Sequence, residues 1–170
     1  MRDRKYRFVK YGAYALITIG LFVLQTTRGL QISVFGVSPD YMTFYVAAIA
    51  LLEGYFPGGC FGVFAGLLIS LSSVMVEGLE GLYLGLFGVL CGCIGNAYMR
   101  KVPMSGLFCG ACGILLKKVI GYIFYYGMVF AMPLSAAALQ CVIEIAVSVP
   151  FGLIVFLIAR AVNRYFREDE

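Results

Sequence analysis

The stretch GVSPDYMTFYVAAIALLEGYFPGGCFGVFAG, residues 36–66, decides the fold, because it holds two apolar runs separated by a short turn rich in Gly and Pro. Pro39 and Asp40 have the pattern of a helix start, since Pro is tolerated in the first turn and a carboxylate is favoured at the positive end of the helix dipole. The turn at residues 53–59, in which Pro57 starts the next helix, completes a predicted helical hairpin. Its first helix, residues 41–52, would be only about 18 Å long. We therefore expect this helix to lie among others, to be extended by its flanks, or to be matched by local thinning of a bilayer.

The composition predicts an all-α membrane protein. Of the 170 residues, 62% are hydrophobic and apolar stretches recur along the whole chain, whereas a soluble domain has about half apolar residues. Helices are the form in which a single segment satisfies its own backbone in lipid. We predict one polytopic domain over residues 1–170, a compact bundle of six transmembrane helices. The predicted spans are residues 8–24, 41–52, 57–76, 81–99, 104–132 and 136–159.

The basic residues predict the orientation of the chain. A basic start before an apolar run is also how a signal peptide begins. However, no small-x-small cleavage site follows Leu24, and five more apolar segments come after it. We therefore interpret the first segment as a retained helix, in which Lys10 reaches back to the interface. Only Arg28 lies on the side opposite the other basic loops and tails. By the positive-inside rule both termini are cytoplasmic, which requires an even number of spans. The basic residues on the cytoplasmic side are Arg2, Arg4, Lys5, Arg7, Lys10, Arg100, Lys101, Arg160, Arg164 and Arg167.

Glycines at a spacing of four mark helix faces that approach closely. In lipid there is little hydrophobic drive between helices, so small residues provide the main route to helix contact. We favour packing within one chain, and a face for a partner or a second copy is the alternative. The residues that form this candidate face are Gly58, Gly62, Gly66, Gly81 and Gly85.

Besides Lys10, three charges fall inside the predicted spans, and such charges usually have a partner or a function. Lys118 and Glu144 lie at depths that a Lys side chain can bridge. Lys117 is about 100° away from Lys118 around the helix, so both cannot face the same acid. We expect one Lys to pair and the other to reach the cytoplasmic interface. Gln140, Glu144 and Ser148 form a polar stripe on the sixth helix, which we expect to face inward or toward a partner.

Residues suited to catalysis or metal binding are scarce. The chain has no His, and we find no catalytic motif, phosphate-binding loop, cofactor motif or nucleic-acid signature. The C-x-C at Cys91 and Cys93 and the C-x-x-C at Cys109 and Cys112 sit in apolar helical runs, where cysteines serve as small packing residues. We interpret Glu80 as a solvated carboxylate of a short external loop. The sequence predicts no enzyme, cofactor or metal site.

Four segments carry a resemblance to a known family. They read VLQTT at residues 23–27, FGVSPDYMTFYVAAIALLEG at 35–54, GGCFGVFAGLLISL at 58–71 and GLEGLYLGLFGVLCG at 78–92. This order resembles the rod shape-determining protein MreD family. Pro39 and Asp40 match the family's start of the second helix, and Gly81 matches the glycine that opens the fourth. The family usually has an acidic residue in the third helix where this chain has Ile69 and Ser70.

The resemblance implies a non-enzymatic scaffold of the bacterial elongation machinery in the cytoplasmic membrane. Its implied partners are an MreC-like single-span protein, the MreB-like cytoskeleton and the synthases of the lateral peptidoglycan wall. MreD-like proteins are thought to share their fold with substrate-binding S-components of energy-coupling-factor vitamin transporters, so such a binder is the alternative function. A third possibility is an ion or proton carrier built on Lys118 and Glu144.

Overall fold

A computed structural model of the chain describes residues 2–27, 39–72, 79–98, 103–122 and 134–167. The described residues form helices and no strand. The six helices in chain order are α1 Arg2–Thr26, α2 Tyr41–Glu53, α3 Tyr55–Ser72, α4 Leu79–Tyr98, α5 Pro103–Gly121 and α6 Leu134–Arg167.

The helices correspond in order to the six predicted segments and differ from them mainly at their ends. Helix α1 begins at Arg2 and α6 continues to Arg167, so basic residues predicted as tails are helical. The part of the fifth predicted span beyond residue 122, and the end of the third at residues 73–76, lie outside the described residues. Five helices are long and apolar enough to cross a membrane, and α2 is apolar but shorter. The chain is therefore an all-α, multi-pass type of membrane protein.

Helix α2 occupies the centre of the bundle. All twelve residues from Tyr41 to Leu52 are buried, and α2 packs against each of the other five helices. A helix that is apolar on every face is stable only where protein or lipid surrounds it completely. Of the three expectations for this short helix, enclosure by its neighbours is the one that the structure shows.

The N-terminal end of α1 and the C-terminal end of α6 lie on the same side of the bundle. Lys10, in the first half of α1, contacts Glu53 at the end of α2, and Asn163, near the end of α6, donates a hydrogen bond to the same carboxylate. The N-terminal part of α1 and the C-terminal part of α6 therefore lie together. This arrangement agrees with the even number of spans predicted from the basic residues.

Helices α3 and α4 pack antiparallel through glycine. A Cβ atom on Gly62 would overlap the carbonyl oxygen of Leu84, and one on Gly66 would overlap the carbonyl oxygen of Glu80. At Gly58 it would stand 2.6 Å from the Cβ of Ala50 in α2. Moving four residues forward along α3 corresponds to moving four residues back along α4, so the two backbones are in contact along a continuous line. We call this line the glycine seam.

The five glycines of the predicted face take part in this packing to different degrees. A Cβ on Gly85 would lie 2.5 Å from Cγ2 of Val63, whereas one on Gly81 would make ordinary contact with Leu67 at 3.5 Å. Gly58, Gly62 and Gly66 are buried within the single chain. These glycines are thus covered by intramolecular contacts, and the alternative of a face open to a partner does not apply to them.

The turn between α2 and α3 consists of Gly54 alone. Its φ of 104° is a backbone conformation that side chains rarely adopt, and its N–H donates to the carbonyl oxygen of Ala50 at 3.0 Å. Pro57 lies in the first turn of α3, where its missing N–H costs no hydrogen bond. The predicted hairpin is therefore present, with α3 starting two residues before Pro57.

Replacing Gly54 by Ala is expected to destabilise the hairpin by about 1 to 3 kcal/mol, because a residue with a Cβ is strained at this φ. The matched control is Gly12→Ala in α1, where no atom lies within 4 Å of the added Cβ and Ala is the better helix former. The measurement is the temperature at which the purified protein loses its monodisperse peak in size-exclusion chromatography. Equal midpoints for the two variants would contradict the prediction.

Candidate functional site

Asp40 caps the start of α2 and is itself buried. Its Oδ1 accepts a hydrogen bond from the backbone N–H of Thr43 at 3.2 Å, and its Oδ2 accepts one from the Thr43 hydroxyl at 2.9 Å. The backbone N–H of Asp40 donates to Oγ of Ser148 in α6 at 3.1 Å. The helix thus begins directly after the predicted motif, with Asp40 as its N-cap and Pro39 ahead of the first turn. Asp40 also ties α2 to α6.

A single ammonium group joins α2, α4 and α5. Nζ of Lys117 lies 3.1 Å from Oδ2 of Asp40 and 3.2 Å from Oε2 of Glu80. The carboxylate of Asp40 is 3% exposed, so its charge depends on this cation and on the two hydrogen bonds from Thr43. We call Asp40, Thr43, Glu80, Lys117 and Ser148 the Asp40 cluster.

The neighbouring lysine has a different partner. Nζ of Lys118 lies 2.5 Å from Oε2 of Glu144, which joins α5 to α6. The expectation that one lysine reaches the cytoplasmic interface is wrong, because both are paired. Since α5 is described only as far as Gly121, the two lysines lie near its described end. The starts of α2 and α4 lie at the same level and supply the two carboxylates that bind Lys117.

Two other predicted polar positions also differ from expectation. Glu80 lies in the first turn of α4 with its side chain 16% exposed, so it is not a solvated loop residue. Gln140 is exposed, whereas Glu144 and Ser148 are buried. A spacing of four drifts by about 40° per step around a helix, so the stripe leaves the inward face before it reaches Gln140.

A second polar cluster lies at the other end of α2. Oε1 of Glu53 lies 2.6 Å from Nζ of Lys10 and accepts hydrogen bonds from the Tyr14 hydroxyl at 3.0 Å and from the Asn163 amide. We call these four residues the Glu53 cluster. The ammonium group of Lys10, which is predicted to reach back to the membrane interface, binds Glu53 at the end of α2. Sequence reasoning placed Glu53 in a turn and found no partner for it.

The two clusters fasten both ends of the enclosed helix. The 13 residues of α2 separate them by about 20 Å along the helix axis. Buried ionised groups are tolerated in an apolar setting when they are paired and hydrogen-bonded, and the carboxylates of Asp40, Glu53, Glu80 and Glu144 all bind an ammonium group. Within the described residues, no group of three or more His, Cys, Asp or Glu side chains has the arrangement of a metal site. The geometry therefore fits a role in holding helices together.

Each of the two cysteine motifs has one buried and one exposed cysteine. Cys91 and Cys109 are buried between α4 and α5, and Cys93 and Cys112 are exposed on the outer surface of the same helices. All six cysteines are thiols in the structure.

No protein-family model, curated protein or solved structure matches this chain. The fold and the two clusters define the class of protein. It is a multi-pass helical bundle of the membrane type, whose central helix is fastened at both ends by ion pairs.

Proposed function

We propose that the chain is a non-enzymatic scaffold of the bacterial elongation machinery, similar to MreD, in the cytoplasmic membrane with both termini inside the cell. One observation carries the proposal. The segments that resemble the family, residues 35–54, 58–71 and 78–92, supply the enclosed helix α2 and the two helices of the glycine seam. The resemblance therefore falls on the residues that determine the architecture.

The proposed role is to hold the transmembrane helix of an MreC-like single-span protein, which has an external domain. A scaffold of this kind needs a rigid interior and an apolar outer surface. The two polar clusters and the glycine seam supply the rigid interior. The apolar outer surface consists of large side chains on α1 and α3 to α6 that are exposed in the isolated chain, among them Leu16, Leu71, Leu82, Leu86, Phe108 and Ile154.

The partner's helix is proposed to lie on this apolar outer surface, because the small residues of α3 and α4 are already used within the chain. Association would then rest on side-chain packing in lipid. At the end of the bundle that carries the Glu53 cluster, the exposed Arg160 and the basic start of α1 suit contact with anionic lipid headgroups. The MreB-like cytoskeleton and the wall synthases would associate with the same complex.

The first test is affinity purification of the tagged protein from its native membrane in mild detergent, followed by mass spectrometry of proteins and small molecules. The proposal expects an MreC-like single-span protein and wall synthases at levels well above those recovered with an unrelated tagged multi-pass protein. A bound vitamin, or an ATPase with its coupling subunit, would overturn the proposal and favour a transporter S-component.

The second test locates the partner's face with a photo-reactive amino acid at one outward position on each outer helix, namely Leu16, Leu71, Leu86, Phe108 and Ile154. The proposal expects crosslinks to the single-span partner from one or two adjacent helices only. The matched control is Ala47 in α2, which is completely buried and should give no crosslink to another protein. Equal crosslinking from all five outer positions would contradict a defined binding face.

A further inference from the structure

Helices α4 and α5 meet along an antiparallel line that ends in a pair of cysteines. Glu80 contacts Lys117 near one end of this line, and Phe87 packs against Gly113, where an added Cβ would lie 2.5 Å from Cζ of Phe87. Four residues further along α4 is Cys91, and four residues back along α5 is Cys109. The register of the two helices therefore places these two cysteines opposite each other.

The two thiols are buried and in contact. Cys91 is 4% exposed and Cys109 is 6% exposed, and the two side chains are close enough to interact. Cys91 lies well inside α4, about 18 Å from the helix start at 1.5 Å per residue. Water-soluble reagents reach such a position poorly, whereas a reagent dissolved in the lipid can approach along the helices.

We propose that Cys91 and Cys109 form an oxidisable dithiol site, whose oxidant is a lipid-soluble two-electron acceptor of the quinone class. Two S–H bonds break and one S–S bond forms between α4 and α5. The two electrons and two protons pass to the quinone, which becomes a hydroquinone. The product is an intrachain disulfide that closes a loop from Cys91 to Cys109.

The disulfide would act on the helices that carry the Asp40 cluster. Lys117 lies two turns beyond Cys109 on α5, and Glu80 lies three turns before Cys91 on α4. A covalent link between the helices holds these two elements together even when the ion pair is lost, and it removes conformational freedom from the unfolded chain. Oxidation should therefore raise the resistance of the protein to unfolding.

The test uses the full chain in lipid nanodiscs with tetramethyl-1,4-benzoquinone, whose fully substituted ring accepts electrons and offers no free carbon for a stable thioether. After denaturation, a maleimide polymer is attached to each free thiol, and the added mass gives the number of thiols. The native protein should lose two of its six thiols, without forming dimers, and a disulfide-linked pair of peptides should contain Cys91 and Cys109.

Variants separate this pair from the other cysteines. Cys91→Ser and Cys109→Ser should keep every remaining thiol, whereas Cys60→Ser and Cys141→Ser should still lose two. A variant in which Cys60, Cys93, Cys112 and Cys141 are all Ser should lose both of its thiols, and its unfolding midpoint should rise on oxidation. Retention of all six thiols by the native protein, or loss of two by Cys91→Ser, would overturn the proposal.

Discussion

Replacing Lys117 by Met is expected to lower the free energy of unfolding by about 3 to 5 kcal/mol, the cost of removing one partner from a buried ion pair. The substitution keeps the length and apolar stem of the side chain and removes its charge. The carboxylates of Asp40 and Glu80, which lie 3.1 and 3.2 Å from Nζ, would then be left without their shared cation. The measurement is the loss of helical circular dichroism in mixed micelles as a denaturing detergent is added.

The adjacent lysine supplies the matched control. Lys118→Met makes the same chemical change one residue away, but the Lys118 side chain is 35% exposed, and among the described residues it forms one salt bridge, to Glu144. We expect its effect to be at most half as large. Combining Lys117→Met with Asp40→Asn and Glu80→Gln should recover most of the stability, since Asn still caps a helix and no buried charge remains unpaired. Equal losses for the two lysines, or no recovery in the combined variant, would contradict the assigned role of Lys117.

Replacing Gly62 by Ala is expected to cost about 2 to 3 kcal/mol, in the range of an overpacked core. The added Cβ would overlap the Leu84 carbonyl oxygen and lie 3.0 Å from Cα of Gly85. Both neighbours are backbone atoms, so no side chain can rotate away. Helices α3 and α4 must separate to admit the methyl group, and in lipid the lost contact is not replaced by a hydrophobic gain. The same detergent titration measures the effect.

Gly20→Ala in α1 is the control for the seam variant. No atom lies within 4 Å of a Cβ at this position, so the change should be neutral or stabilise the helix by up to about 1 kcal/mol. A Gly62→Ala protein as stable as Gly20→Ala would mean that the two helices do not approach as closely as the structure shows.

Much of the architecture is predictable from local patterns in the sequence. The uninterrupted apolar run at residues 41–52, bounded by Asp40 and Gly54, predicts a short helix, and enclosure by other helices is one of the three arrangements expected for it. The structure shows that arrangement. Glycines spaced by four indicate close helix faces because a helix brings such positions onto one side. Both inferences use residues near one another in the chain.

The ion pairs were less accessible to sequence reasoning because their partners are far apart in the chain. Lys117 binds Asp40 across 77 positions, and Asp40 already had a local explanation as a carboxylate at the start of a helix. One signal was present. The predicted spans contain two adjacent lysines but one acidic residue, Glu144. One intramembrane lysine is therefore left without a predicted carboxylate partner. Searching the starts of the other helices for a carboxylate would have found Asp40 and Glu80.

The enclosure of α2 also has a consequence for how the protein is made. A helix of 13 residues is shorter than the roughly 20 apolar residues that span a bilayer, and only Gly54 separates it from α3. We expect the two helices to leave the insertion machinery as one unit, with α2 touching lipid at first. Helices α4, α5 and α6 are synthesised later, and they complete the wall around α2. We therefore expect α2 to leave the lipid when the chain is completed and not when its own segment is inserted.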